Sequence, residues 1–482
     1  MLNLSFCPKL RATFERTLGA AQLYQDYLTT KDQTTLRIRK TRQETPWRVY
    51  PDSAPESGRR YYSSLRYPTA AAAQAAFARP SHSLVYGRDG TPDGDALTKA
   101  LLQLDTAAVD GRVTGHGMGA IEAALLAVKS GEHVVASRFI FGTTRCNFLD
   151  LAWERGISVT FVDGRDSDAW EAAIQPGKTR LFFFEPVGNP GMERVDVDAV
   201  AAIAHKDRRD ILVVSDNSMT PLDQSLSRGA DMVASSTTKL LGLGIDNGGA
   251  ILLARKGQER LQRLFPDQPA GYPVLTMVSR KGWTQSHRSA RAMLRQAAVS
   301  VLRVRRQTAT AVALARALAD LALKVQSTAL EKNAPDSALS SLFAIDLGSQ
   351  ENAFRFIDGL ARQGIGIVNN FGSTRTTVIH PGTTTQSSLT SQEQAEQGIS
   401  PGLVRVSVGL ERLSFLIKTF ARALSSTNHE RLFPLAAHPR QPPRSLAPLV
   451  VNSFVTPVRV GSNQTVDASA AHRRLERDIE TD

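Results

Sequence analysis

Three polar residues stand where apolar runs stop. Asn189 follows LFFFEPVG, Asp216 closes ILVVSD, and Lys239 comes after MVASSTT and before the glycine-broken LGLG. Lysine is the side chain best able to condense with a carbonyl to give an imine. A carboxylate can stabilise a positive charge, and an amide can hydrogen-bond an oxygen without titrating. Any one of the three alone reads as an ordinary loop residue. All three, in order and each behind an apolar run, read as parts of one site. A fourth feature is GHGMGAIEAALL, Gly115 to Leu126, a glycine-rich turn that opens a helix. Such a turn offers free N–H groups and the positive end of the helix to an anion.

The apolar runs HVVAS, ISVTFVD, TRLFFFEPV, DILVVSD, DMVASS and GGAILLA are separated by helical stretches such as TRCNFLDLAWERG and DVDAVAAIAHKD. Runs without alternation, spaced by helices, are the pattern of a parallel sheet covered on both faces. In such a sheet ligands collect at the carboxyl ends of the strands, which is where the three polar residues fall. DALTKALLQLD has helical spacing, and AIEAALLAVKSG is predicted to be a helix that ends at Gly131. We expect a doubly wound α/β domain over 81–283 and a long or broken connecting helix over 284–325. A smaller α+β domain follows over 326–430, where SLFAIDL, GIGIVNN, TTVIHP and LVRVSVGLE alternate with helices. Residues 1–80 read as an N-terminal arm with one or two short helices, and the proline-rich 431–482 as a disordered tail.

The chain has 482 residues, 42% of them hydrophobic and 22% charged, the composition of a globular protein of two or three domains. No apolar run reaches the ~18 residues that span a bilayer, and MLNLSFCPKLRATF is too short in its apolar part for a secretory signal. Two cysteines, Cys7 and Cys146, make neither a disulfide framework nor a zinc cage. The expected location is cytoplasmic, with no membrane. The net charge of +12 invites a nucleic-acid reading. Its arginines, however, crowd into the two ends and the segment after Ser279, as solvated surface or subunit contacts do, and nucleic acid is not an expected partner.

An amine, an acid and an amide converging at strand ends suit pyridoxal 5'-phosphate. The lysine carries the cofactor as a Schiff base, and the acid pairs with the pyridinium nitrogen so that the ring accepts electrons from a substrate carbanion. A nicotinamide enzyme is the rival reading, because GHGMGA also matches G-x-G-x-x-A. That fingerprint wants an acid roughly 20 residues on for the ribose. HVVASRFIFGTTRCNFL, from His133 to Leu149, holds neither Asp nor Glu, so the turn suits a lone phosphate better.

The stretch VVSDNSMTPLDQSLSRGADMVASSTTKLLG resembles the lysine-site region of the Cys/Met-metabolism (transsulfuration) family of pyridoxal-phosphate enzymes. That family includes cystathionine synthases and lyases and O-acylhomoserine sulfhydrylases. The resemblance implies the fold-type I transferase architecture: α/β, a mostly parallel seven-stranded sheet with helices on both faces, and a smaller C-terminal α+β domain. It implies that Lys239 holds the cofactor, that Asp216 meets the pyridinium nitrogen and that Asn189 of EPVGNP meets the phenolic oxygen. Ser236, Thr238 and the amides of Gly117 and Met118 are implied at the phosphate. Tyr86 and Arg88 of VYGRDGTP are implied at the phosphate of a neighbouring subunit, hence a homodimer or homotetramer. Arg405 of LVRVSVGLE is implied at the substrate's α-carboxylate, a task that suits a planar two-donor fork. Asn370 of NNFGSTRT is implied to line the substrate pocket.

The chain also departs from the family's pattern. Phe141 of FGTT stands where a tyrosine of YGGT stacks on the ring, which keeps an apolar face and loses a hydroxyl. TPDG replaces NPT after Arg88, and His116 replaces the serine before Gly117. The implied reaction is γ-replacement on an O-acylhomoserine, giving a thiol or thioether. The alternative is β- or γ-elimination of cystathionine, which the lyase-like YGRDGT favours mildly. A diverged member without turnover is the second alternative.

Overall fold

The protein's computed structural model describes residues 69–77, 86–332 and 334–425, and the apolar runs there form two sheets. The larger contains β1 (Ala108–Thr114), β2 (His133–Ser137), β3 (Ser158–Val162), β4 (Thr179–Phe184), β5 (Leu212–Asp216), β6 (Met232–Ser235) and β7 (Gly249–Ala254). Its order is β1-β7-β6-β5-β4-β2-β3, with β7 antiparallel to both neighbours and the pairings from β3 through β6 all parallel. Strand residues alternate between faces, so one strand serves two cores. Phe182 and Phe184 of β4 pack with Trp170 and Val213 on one side, while Leu181 and Phe183 pack with Phe148 and Val214 on the other. Both layers are buried, which is why the runs read as continuously apolar.

Two details differ from the sequence reading. β1 escaped it because Asp110, Gly111 and Arg112 interrupt the apolar pattern. The strand forms all the same, because Gly111 lies so close to β7 that a Cβ there would stand 2.7 Å from the Ile251 carbonyl oxygen. The helix opened by Gly117 ends at Leu125 rather than at Gly131. Gly131 instead takes φ 80° in the turn before β2, where its N–H donates to Gly156 O at 2.9 Å.

The second sheet has the order β10-β11-β12-β9-β8, where β8 is Lys324–Gln326, β9 Leu342–Asp346, β10 Gly366–Ile367, β11 Thr377–Ile379 and β12 Leu403–Ser407. It is antiparallel except for β10 with β11, and its core holds Phe343, Phe356 and Phe420. β8, only 3 residues long, was too short to show a period. Between the two sheets in sequence runs a single unbroken helix, His287–Ala319, of 33 residues, started by Ser286, whose side chain accepts from Ser289 N. At 1.5 Å per residue it is about 50 Å long. Of the expected N-terminal arm, the described part within 69–77 forms the helix Ala70–Phe77, and the expected tail, 431–482, lies outside the described residues. Among the described residues no helix is long and apolar enough to cross a membrane.

Candidate active site

β4, β5 and β6 are parallel neighbours, so their carboxyl ends share one edge of the sheet. Asp216 is the last residue of β5, Asn189 lies in the loop after β4, and Lys239 in the turn after β6. The smaller sheet brings two more groups to them. Lys239 Nζ donates to Asn370 Oδ1 at 2.5 Å. Arg405, inside β12, donates from Nη1 to Asn189 Oδ1 at 3.0 Å and from Nη2 to Asn369 O at 3.1 Å. The buried ring of Phe371 lies beside both cations, with its centroid 5.2 Å from Lys239 Nζ and 5.4 Å from Arg405 Cζ.

Burial controls the charges here. It lowers Lys239 from 10.5 to about 8, helped by the Arg405 charge and opposed by Asp216. Burial alone lowers Arg405 to about 10, still fully protonated at neutral pH. Asp216 is pushed up by burial and held back by Ser218 and by Lys239. Ser218 donates to Asp216 Oδ1 twice, from N at 2.9 Å and from Oγ at 2.6 Å. Ser218 Oγ in turn accepts the Ser236 N–H at 2.7 Å. The carboxylate and the turn carrying Lys239 are thereby tied together. Sequence reasoning missed Ser218, although its place two residues after an acid at a strand end is the signal of an Asx-type turn.

The glycine-rich turn expected to take an anion lies beside that turn. Gly117 opens the helix Gly117–Leu125, and its N-cap, His116, makes no side-chain capping bond. The first N–H groups of a helix have no acceptor within it. Ser236 packs so close that a Cβ on Gly117 would stand 2.8 Å from Ser236 Cβ, so only glycine leaves the amides open. Met118 follows, half-buried, with the Thr144 hydroxyl 4.0 Å from its sulfur. The Thr238 hydroxyl bonds Gly248 instead, accepting from its N at 2.9 Å and donating to its O at 3.2 Å, which closes the turn.

Phe141 caps the helix Gly142–Arg155 and donates its N–H to Glu185 Oε1 at 2.7 Å. Glu185 is a second group that sequence reasoning missed. It ends the LFFFE run, and burial, with Asp216 and Glu193 nearby, raises its pKa well above the carboxylate range. Tyr86 and Arg88 are not brought to Lys239. Tyr86 is 48% exposed and the Arg88 side chain 56% exposed, and the guanidinium lies 5.7 Å from the centroid of the Tyr86 ring.

The donor set fits pyridoxal phosphate. A lysine that is partly neutral near pH 8 can form an imine, a buried carboxylate faces the same edge, and Gly117 with Ser236 leaves helix amides open for a phosphate. This site on this sheet defines a pyridoxal-phosphate-dependent enzyme of fold type I. The chain belongs to the Cys/Met metabolism PLP-dependent enzyme family, whose model matches residues 60–425. It is 34% identical to the O-succinylhomoserine sulfhydrylase of Pseudomonas aeruginosa over 380 residues, 76% of this chain and 89% of that protein. It is 31% identical to the L-methionine gamma-lyase of Pseudomonas deceptionensis over 381 residues, covering 76% of this chain and 91% of the relative. Among solved structures it resembles a putative O-acetylhomoserine (thiol)-lyase from Campylobacter jejuni, with TM-score 0.70 and 24% identity over 80% of this chain and 98% of that one.

Proposed function

We propose that the protein catalyses γ-replacement on an O-acylhomoserine, exchanging the acyloxy group for a sulfur nucleophile and releasing the carboxylate. The observation that carries this reading is Lys239 at bonding distance from Asn370, with Arg405 beside the same phenyl ring. A proton-transferring amine and a carboxylate-binding guanidinium are then both held against the same ring. The likeness to sulfhydrylases supports the substrate class.

Bound pyridoxal phosphate supplies the electron sink that makes the substrate's Cα and then Cβ acidic. Arg405, with Nη1 on Asn189 and Nη2 on Asn369 O, keeps donors for the α-carboxylate. Asn370 steers the Lys239 amine toward the substrate carbons. Lys239, titrating at about 8, takes and returns protons at Cα and Cβ, because a base whose pKa lies near the working pH transfers protons in both directions. Asp216 would keep the ring nitrogen protonated, and Asn189 would also bond the phenolic oxygen. The Gly117 and Met118 amides with the Ser236 hydroxyl would hold the phosphate, Thr238 would support them by closing the turn onto Gly248, and Phe141 would cover one ring face. Tyr86 and Arg88, at the surface of one chain, reach the phosphate of a second copy in a homodimer or homotetramer. The enzyme works in the cytoplasm on a small amino acid.

Purified protein incubated in parallel with O-acetylhomoserine, O-succinylhomoserine and cystathionine tests the reading. A new thioether or homocysteine that appears only when a thiol or sulfide is added supports replacement. A 2-oxo acid released from cystathionine without any added nucleophile supports elimination, the second reading, which the methionine gamma-lyase relative favours.

A further inference from the structure

One turn apart on the helix His287–Ala319, two buried polar side chains reach away from their own helix. Arg303 donates from Nη1 to Leu240 O at 2.7 Å and from Nη2 to Leu241 O at 3.0 Å. Those are the two carbonyls that follow Lys239. Gln307 donates from Nε2 to Ser373 O at 2.7 Å and to Val408 O at 3.0 Å. Ser373 lies three residues past Asn370, and Val408 three past Arg405. The two side chains also touch each other, Arg303 Nη1 to Gln307 Oε1 at 3.5 Å. Gly372 closes the arrangement. At φ 91° it lies against the Lys239–Leu240 peptide so tightly that a Cβ would stand 2.6 Å from Leu240 N.

Arg303 is an expensive way to fill this space. Burial lowers its pKa to about 10 and, among the described residues, no carboxylate opposes that and its Nε has no hydrogen-bond partner. A buried cation without a counter-ion, with one N–H unmet, costs more than an apolar side chain of the same volume. Only a fork of fixed geometry bonds two successive carbonyls at once.

We propose that Arg303 and Gln307 are positioning residues that hold the turn bearing Lys239 in register with Asn370 and Arg405. The pair locks the large sheet's base against the small sheet's carboxylate site. It rests on the reading of Lys239 as the cofactor-bearing base.

The test uses the full-length holoenzyme, Arg303→Lys and Gln307→Met, each first shown to be folded by thermal melting. Three quantities are read: the pH midpoint of the cofactor's visible band, kcat and KM. A misplacement of about 1 Å costs on the order of 10²-fold in rate. Arg303→Lys keeps the charge and loses the fork, so kcat should fall by that order and the midpoint should rise as the lysine turn loosens. Gln307→Met leaves the Leu240 and Leu241 bonds in place, so KM for the amino-acid substrate should rise with a smaller change in midpoint. Folded variants that melt earlier but keep midpoint, kcat and KM within twofold of wild type overturn the proposal and leave the lysine assignment standing. Borohydride reduction of wild type that labels a lysine other than Lys239 overturns both.

Discussion

Asn189, Asp216 and Lys239 stand at or just past the carboxyl ends of β4, β5 and β6, whereas Arg405 stands in the middle of β12. There it faces Ala344 of β9 on one side and Ile379 of β11 on the other. Along the parallel strands β2 to β6 all carboxyl ends open on one edge, so polar groups gather there without entering the core. In the antiparallel sheet a reactive group has to sit within a buried strand, and its charge must be satisfied by fixed partners, here Asn189 and the Asn369 carbonyl. On the proposed function the large sheet would supply cofactor chemistry from loops and turns, and the small sheet recognition from its core. Replacements on the first side should alter reaction and spare the fold; on the second they should alter binding and stability together.

The largest expected effect is at Lys239. Lys239→Ala should lose turnover and all borohydride-stable cofactor while melting near wild type, because the side chain is only partly buried. Peptide mapping after reduction reads the first, and a thermal scan the second. An early melt for this variant would break the contrast between the two sheets. Next comes Asp216→Asn. It should retain cofactor and lose on the order of 10²–10³-fold in kcat, the usual cost of removing one preorganised electrostatic partner. Near-normal kcat would remove Asp216 from the ring nitrogen.

On the small-sheet side, Arg405→Lys should act through KM. A hydrogen bond to a charged group contributes about 1.5–3 kcal/mol, so kcat/KM should fall roughly tenfold to a hundredfold, and the protein should melt earlier as Asn189 loses its partner. Activity also links the two sides through pH. The base form of Lys239 is the neutral amine, so kcat should rise with pH through about 8. The Arg405 charge is one cause of that low value, so Arg405→Met should move the midpoint upward and Arg405→Lys should leave it nearer its place. An unmoved midpoint in Arg405→Met would mean that the two sheets are electrostatically independent.

The smallest effect is at Phe141. Restoring a hydroxyl in Phe141→Tyr should raise elimination of cystathionine a few-fold relative to replacement on O-acylhomoserine, because elimination leans more on a second acid–base group. Steady-state kcat/KM on both substrates gives the ratio, and a ratio that stays level or falls would leave Phe141 as packing alone.

Much of the large sheet was legible because its information is local. β2 to β7 each appear as an apolar run, and for β4, β5 and β6 the polar residue at or just past the end of the run is the one at the sheet's shared edge. β1 was not legible, since Asp110, Gly111 and Arg112 conceal a strand that is held by its pairing with β7. Ser218 stood in plain view in SDNS, yet its double bond to Asp216 is a matter of backbone direction. Arg303 and Gln307 look like two more polar residues in an arginine-rich helix. Nothing in a spacing of four shows that they face inward to carbonyls from three separate segments.

By itself the sequence determined the α/β class, the covered parallel sheet, the lysine, the acid and the amide at strand ends, and through motif resemblance the cofactor family. Those follow from periodicities of two and 3.6 residues and from where each apolar run stops, all within about ten residues of chain. Only the tertiary structure decided which distant groups meet. Lys239 and Asn370 are 131 residues apart, and Arg405 and Asn189 are 216 apart. Their contacts depend on how a 33-residue helix seats one sheet against the other, and that seating is set by many weak packing contacts summed over both cores, which no short stretch of sequence contains.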